Sequence, residues 1–182
     1  MKPVLLNVPN INQLAWGAIN GCEAASLLAG LHYRQRALDM SYGQFLLTMP
    51  ISRDGNPYRG FGGSPFKNQP DKFEAIFPRP LLDWGRQFGP MTDLSGATVD
   101  WLFESVAYGN PVLTYVTVHF DPPQWQNYWF GRVPVNNHAV LLDGLRDDQV
   151  HVSDPIDGKY WLSKKAFEAS YNARQMAVLL TK

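Results

Sequence analysis

From Pro111 onward the chain changes texture, and that change limits what it can fold into. PVLTYVTVHF (111–120), HAVLLDGL (138–145), QVHVSD (149–154) and QMAVLLT (175–181) are β-branched or apolar runs bounded by turn residues, the pattern of buried strands. Upstream the period is helical. Ala24, Ala25, Leu27, Leu28 and Leu31 recur at helix spacing within residues 22–34. Val99, Leu102, Phe103 and Val106 share one face of a helix within 93–109 that Gly109 stops. Shorter helices are expected from Ser41, a capping residue, through Thr48, and over 79–89 and 163–171. VLLNVP (4–9) fits a short strand. Helices first and an antiparallel meander after them predict an α+β fold. The 182 residues are enough for one domain with a substantial core, and no composition break divides residues 1–182.

Composition narrows the partners. Lys and Arg balance Asp and Glu at 16 each, and no basic stripe appears, so nucleic acid is not an expected partner. No apolar run reaches the length of a membrane span. The apolar part of MKPVLLNVPN is too short for a secretory signal. The localisation is left open: cytoplasmic, or exported if a signal was removed and a Met added. The oligomeric state is equally open. With one cysteine there is neither an intrachain disulfide nor a Cys-rich zinc site, and no metal or cofactor is expected.

That cysteine, Cys22, sits in NGCEAAS (20–26), where a glycine turn passes into a helix-forming segment. A thiol at a helix N-terminus lies in positive potential, which favours the reactive thiolate. The other use of a lone Cys is as a small buried hydrophobe. Downstream, His138 opens an apolar strand after Asn136 and Asn137, where an imidazole can be rigid and still accessible. His32, His119 and His151 are read as structural. If strands 138–144 and 149–153 form a hairpin, Asp154 returns beside His138 and could hold its tautomer. Asp154 could instead serve only its Asp-Pro turn. Asp143, on the His138 strand, is the weaker rival. Gln13 precedes Cys22 in a loop, and its amide could face a developing oxyanion together with the Cys22 N–H.

NVPNINQ…NGCEAAS, DLSG, GNPV, NHAVLLDG and SDP together resemble the bacterial cysteine peptidases related to the double-glycine leader peptidases, most closely their stand-alone branch. The resemblance runs from about residue 4 to residue 178. It implies a papain-like fold, with an N-terminal catalytic helix packed on a C-terminal antiparallel sheet. It implies thiol-dependent hydrolysis of a peptide or protein substrate, with Cys22 as nucleophile and His138 as base. Asp154 would orient His138, and Gln13 would help form the oxyanion hole. The chain departs from the transporter-linked enzymes in a longer stretch from Gln13 to Cys22, which carries Trp16, and it has no membrane helices or ATPase.

Two segments are expected beside the cleft. Residues 50–80 are rich in Gly and Pro and long for a structureless loop, which more often marks function. Within them FGGSPF (61–66) resembles a cleft-bordering loop of the stand-alone branch. DPPQWQNYWFGRVP (121–134) packs aromatic residues densely, either as the cover of a satellite core or as a flap that grips substrate. Gly62, Gly63, Trp125 and Trp129 are therefore expected to contact substrate, as are Trp16 ahead of Cys22 and Asn137 beside His138. Two other functions stay open: an amidase or endopeptidase on cell-wall peptides, and a catalytically silent peptide-binding module.

Overall fold

A computed structural model describes residues 2–182; Met1 lies outside the described residues. A short strand β1 (Val4–Leu5) leads through a long loop into helix α1 (Cys22–Tyr33), followed by α2 (Tyr42–Leu47) and α3 (Pro78–Gly85). Next come β2 (Met91–Asp93), α4 (Val99–Ala107) and β3 (Val112–Thr117). A hairpin, β4 (Trp125–Tyr128) and β5 (Gly131–Pro134), precedes the long strand β6 (Asn137–Arg146). β7 (Gln149–Asp154), β8 (Gly158–Ser163), α5 (Lys164–Tyr171) and β9 (Ala177–Leu180) complete the chain.

Seven strands form one antiparallel sheet in the order β2-β9-β3-β6-β7-β8, with β1 added to β6 beyond the end of β3. The apolar runs are continuous because both faces of the sheet are covered. Leu113, Tyr115, Ala139 and Leu141 face the cluster that holds α1, α2 and α3. Val112, Val116, Val140 and Leu142 face the cluster that holds α4 and α5. Each such side chain, fully buried, contributes roughly 1.5–3 kcal/mol. The α+β expectation therefore holds, and the sheet proves to be a middle layer between helices rather than a half-exposed meander.

Local chemistry explains the element ends. Ser41 caps α2 in a reciprocal box with Gln44: the Gln44 N–H donates to the Ser41 hydroxyl, and the Ser41 N–H donates to the Gln44 side chain. α1 is buried from Cys22 to Leu31, so its apolar residues surround the axis instead of forming one stripe. Residues 121–134 are not an unbroken loop: β4 and β5 pair across a turn at Trp129 and Phe130. Residues 50–80 carry no long element before α3, yet they are held in place. Phe61 and Phe77 are fully buried, and Phe61 N–H donates to Pro50 O at 2.7 Å. Among the described residues no helix is long and apolar enough to cross a membrane.

Candidate active site

The start of α1 and the start of β6 meet at one cleft of about 460 Å³. Cys22, His138, Gln13 and Asn137 all line it, so residues far apart in sequence converge on one site. Two contacts fix Cys22 at the head of its helix. Tyr42 on α2 donates its hydroxyl hydrogen to Gly21 O at 2.8 Å. Gly21 is required for that approach, since a Cβ there would sit 2.0 Å from the Tyr42 hydroxyl oxygen. Ser26, one turn on, donates to Ala139 O at 3.1 Å and so ties α1 to β6 directly.

β6 and β7 form the expected hairpin, with a bulge between Leu142 and Gly144. At its open end His138 Nε2 lies 2.8 Å from Asp154 Oδ1, both side chains buried. Asp154 Oδ1 also accepts the Ile156 and Asp157 N–H groups, and Asp154 Oδ2 accepts the Tyr160 hydroxyl at 3.0 Å. Burial alone would raise the Asp154 carboxyl; the His138 contact and the two backbone donors outweigh it and hold it below the usual carboxylate range. The rival, Asp143, is engaged elsewhere: it contacts His151 Nδ1 through Oδ1 and accepts the Val8 N–H through Oδ2. His151, His32 (against Ala37 O) and His119 (an exposed pair with Asp157) do not line the cleft.

Gln13 is locked from both ends. Its N–H donates to Pro155 O at 3.0 Å, and Asn10 donates to Asp154 O and to Ser153 Oγ. The loop ahead of Cys22 is thus stitched to the turn that carries Asp154. Gln13 Nε2 donates one hydrogen to Ile19 O at 2.9 Å, and Gln13 Oε1 is buried without a partner among the described residues. Turning the amide over would set carbonyl against carbonyl, so the orientation is fixed and a second N–H remains to serve the cleft.

Of the expected substrate contacts, only Asn137 lines the cleft. Trp16 lies edge-on to Tyr42 at 6.1 Å and covers Gly43, so it braces α2. On the hairpin the strand alternation turns Gln126 and Tyr128 to the cleft; Trp125 lies under Arg132 and Trp129 against Phe130, both exposed. Gly62 and Gly63 also lie off the wall, which residues 68–74 build instead, Phe73 and Glu74 among them. Gly62 serves packing. A Cβ on it would lie 2.4 Å from Phe73 O and 2.8 Å from Gly55 O. Gly62→Ala should cost about 1–3 kcal/mol and lower the melting temperature by about 3–10 °C, measured by thermal denaturation. An unchanged melting temperature would mean that the 50–80 segment yields freely.

Sequence reasoning missed Glu23. Its side chain is fully buried, with Oε2 3.3 Å from Cys22 Sγ and Oε1 3.5 Å from Asn137 Nδ2. The available signal was one acidic residue in a helix start otherwise made of small and apolar residues, with no polar face to receive it. Burial pushes the Glu23 carboxyl up to about 7. Burial, and then the Glu23 charge, also push the Cys22 thiol up, with the Ala139 N–H working the other way. Enclosure and a neighbouring acid thus oppose the pull toward the thiolate expected from the helix terminus.

Glu23 also sets a pH dependence of stability. Its folded value lies above the ordinary 4.5, so the folded chain holds this proton more tightly than the unfolded one. Its contribution is complete below about 4.5 and is lost as pH rises to about 7. Denaturant titrations at pH 5 and pH 8 should show wild type losing on the order of 3 kcal/mol relative to Glu23→Gln. Parallel behaviour of the two proteins would show that Glu23 ionises normally. Among the described residues no group of three or more His, Cys, Asp or Glu side chains is arranged to hold a metal ion.

Cys22 heads a central helix and His138 opens a strand of the antiparallel sheet packed on it, and both line one cleft. The chain belongs to the Peptidase_C39 like family, whose pattern it matches over residues 5–178. A Bacillus subtilis relative, the uncharacterized protein YvpB, is 26% identical over 152 residues, which cover 77% of this chain. The match spans 60% of the length of YvpB. Among solved structures, a protein assigned as a C39-like peptidase from Bacillus anthracis superposes with a TM-score of 0.85 at 24% identity, covering 100% of this chain and 98% of that one. A double glycine motif protease from an AMS/PCAT transporter, solved with its leader peptide, gives 0.56 at 20% identity, covering 99% and 96%. At these identities the two structures establish the shared fold.

Proposed function

We propose that this chain is a thiol-dependent peptidase in which Cys22 is the nucleophile, His138 the general base, Asp154 its orienting carboxylate and Gln13 an oxyanion donor. One observation carries this reading: Cys22, His138 and Gln13 share a single cleft, and His138 Nε2 is tied at 2.8 Å to a buried carboxylate. That contact assigns the hydrogen to Nε2 and leaves Nδ1 as the nitrogen that can take a proton.

The thiol proton passes to His138 Nδ1 as sulfur bonds to the scissile carbonyl carbon. The resulting oxyanion accepts the spare Gln13 N–H and the Cys22 N–H, which heads α1 with no intrahelical acceptor. Each such donor contributes about 3 kcal/mol. The imidazolium then protonates the leaving amine, the C–N bond breaks and a thioester remains. Water, losing a proton to His138, attacks the thioester and restores the thiol.

A protein of the same fold was solved with its leader peptide, and the cleft here is open to solvent, which supports a peptide as substrate. The test is a peptide-library cleavage profile with the Cys22→Ala protein as control. Muropeptides are assayed alongside, because carboxamides from Gln13, Asn20, Asn68, Gln69, Gln126 and Asn137 give the wall the polar character suited to them as well. Thiol-dependent cleavage of library peptides supports the reading, and cleavage of muropeptides alone moves the substrate to the cell wall. No cleavage of either rejects it.

A further inference from the structure

The proposed reaction uses His138 and Asp154 and leaves a second acid unexplained. Glu23 is buried, follows the nucleophile directly and contacts its sulfur. An ionisable group in that place is costly to bury, so it needs partners. Its side-chain partners are the Cys22 thiol on one carboxyl oxygen and the Asn137 amide on the other, and the backbone N–H groups of Glu23 and Ile76 also favour its charged form. Asn137 is the neighbour of His138 on β6, so the acid bridges the helix that carries the sulfur and the strand that carries the imidazole.

We infer that Glu23 is a positioning residue for Cys22: it accepts the thiol hydrogen, and in the substrate-free enzyme it holds the nucleophile as a neutral thiol in place of an ion pair with His138. The inference rests on the proposed function for its consequence, since the thiol proton would then reach His138 only as attack begins. Its physical basis is independent of turnover. A thiol that donates to a carboxylate is stabilised in its protonated form, and a carboxylate beside a thiolate is a like charge.

Every other group facing the sulfur is accounted for. Asp154 on β7 adds negative charge in the same sense as Glu23. Tyr42 on α2 and Tyr115 on β3 are buried, and burial keeps both hydroxyls protonated. The Ala139 N–H on β6 favours the thiolate, as would a protonated His138 on the same strand. A neutral thiol alkylates and oxidises slowly, so the arrangement protects the one cysteine between turnovers.

Because Cys22 is the only cysteine, every thiol signal from the full chain reports on it. In wild type the infrared S–H stretching band should be present at pH 7 and disappear only in the alkaline range. Absence of the band at pH 7 would overturn the inference, and this measurement needs no variant. Iodoacetamide then reads the effect of the acid. At pH 8, where Glu23 is ionised, Glu23→Gln should alkylate about tenfold faster or more, with the midpoint of the pH profile lowered by at least about one unit. An unchanged or raised midpoint in a Glu23→Gln protein that still unfolds cooperatively overturns it. His138→Ala should leave the alkylation profile close to wild type, whereas a preformed ion pair would show its midpoint rising sharply. Neither readout involves a substrate, so failure here is separate from failure to find a cleaved peptide.

Discussion

Replacing Cys22 with Ala should leave a folded protein whose hydrolysis falls by about 10⁴–10⁶-fold, the loss seen when a nucleophile is removed from a covalent mechanism. Folding should survive because the swap removes one sulfur atom from a site that already opens on the cleft. The sulfur accepts no hydrogen bond on which the helix depends: α1 is anchored by Tyr42 on Gly21 O and by Ser26 on Ala139 O. Loss of the thiol donor to the buried Glu23 carboxylate should cost some stability at pH 8, without preventing folding. Peptide affinity should be retained, because Gln126, Tyr128 and residues 68–74 of the cleft wall are untouched. The measurement is steady-state cleavage of a peptide found in the library, paired with binding of the same peptide to Cys22→Ala. Full activity in the variant would remove the thiol from the chemistry altogether.

Much of this site could be read from letters because its parts obey local rules. Cys22 begins a helix because Gly21 precedes it and Ala, Ser and Leu follow. Asp154 returns to His138 because two runs of similar length with a short connection pair as a hairpin, here with one bulge at Leu142/Gly144. What was not legible depends on contacts between segments distant in sequence. Trp16 looked like a cleft residue in a loop beside Gln13, but Gly43 offers it a flat seat on α2. Trp125 and Trp129 looked like a grip; the alternation of β4 turns Gln126 and Tyr128 inward instead. Gly62 and Gly63 drew attention through FGGSPF, which resembles a cleft-bordering loop, yet Gly62 is glycine because Phe73 O and Gly55 O leave no room for a Cβ. Glu23 escaped notice because NGCEAAS shows only a lone acid among small residues, while its burial and its partners are decided by the packing of α1 against β6.

The second large effect separates what Asp154 does by position from what it does by charge. Asp154→Ala removes the acceptor for His138 Nε2 and three other hydrogen bonds, from Ile156, Asp157 and Tyr160. The imidazole is then free in tautomer and orientation, and activity should fall by about 10⁴-fold. Asp154→Asn should be milder, about 10²-fold, for a reason specific to this turn. The Ile156 and Asp157 N–H groups both donate to Oδ1, so the amide carbonyl must take that place and the NH₂ must take Oδ2, where the Tyr160 hydroxyl can accept in place of donating. His138 keeps its acceptor and its tautomer; only the negative charge that stabilises the imidazolium is lost. The same charge has a signature in stability. Because the folded Asp154 value lies below the ordinary 3.8, its contribution is complete above that pH and is lost as pH falls through the folded value. Wild type should therefore lose stability as pH falls below about 3.8 more steeply than Asp154→Asn. Kinetics of both variants on one peptide, with melting curves across that acid range, test the argument together. If Asn is as damaging as Ala, the two backbone donors do not fix the side chain, and His138 depends on the charge of Asp154 rather than on its geometry.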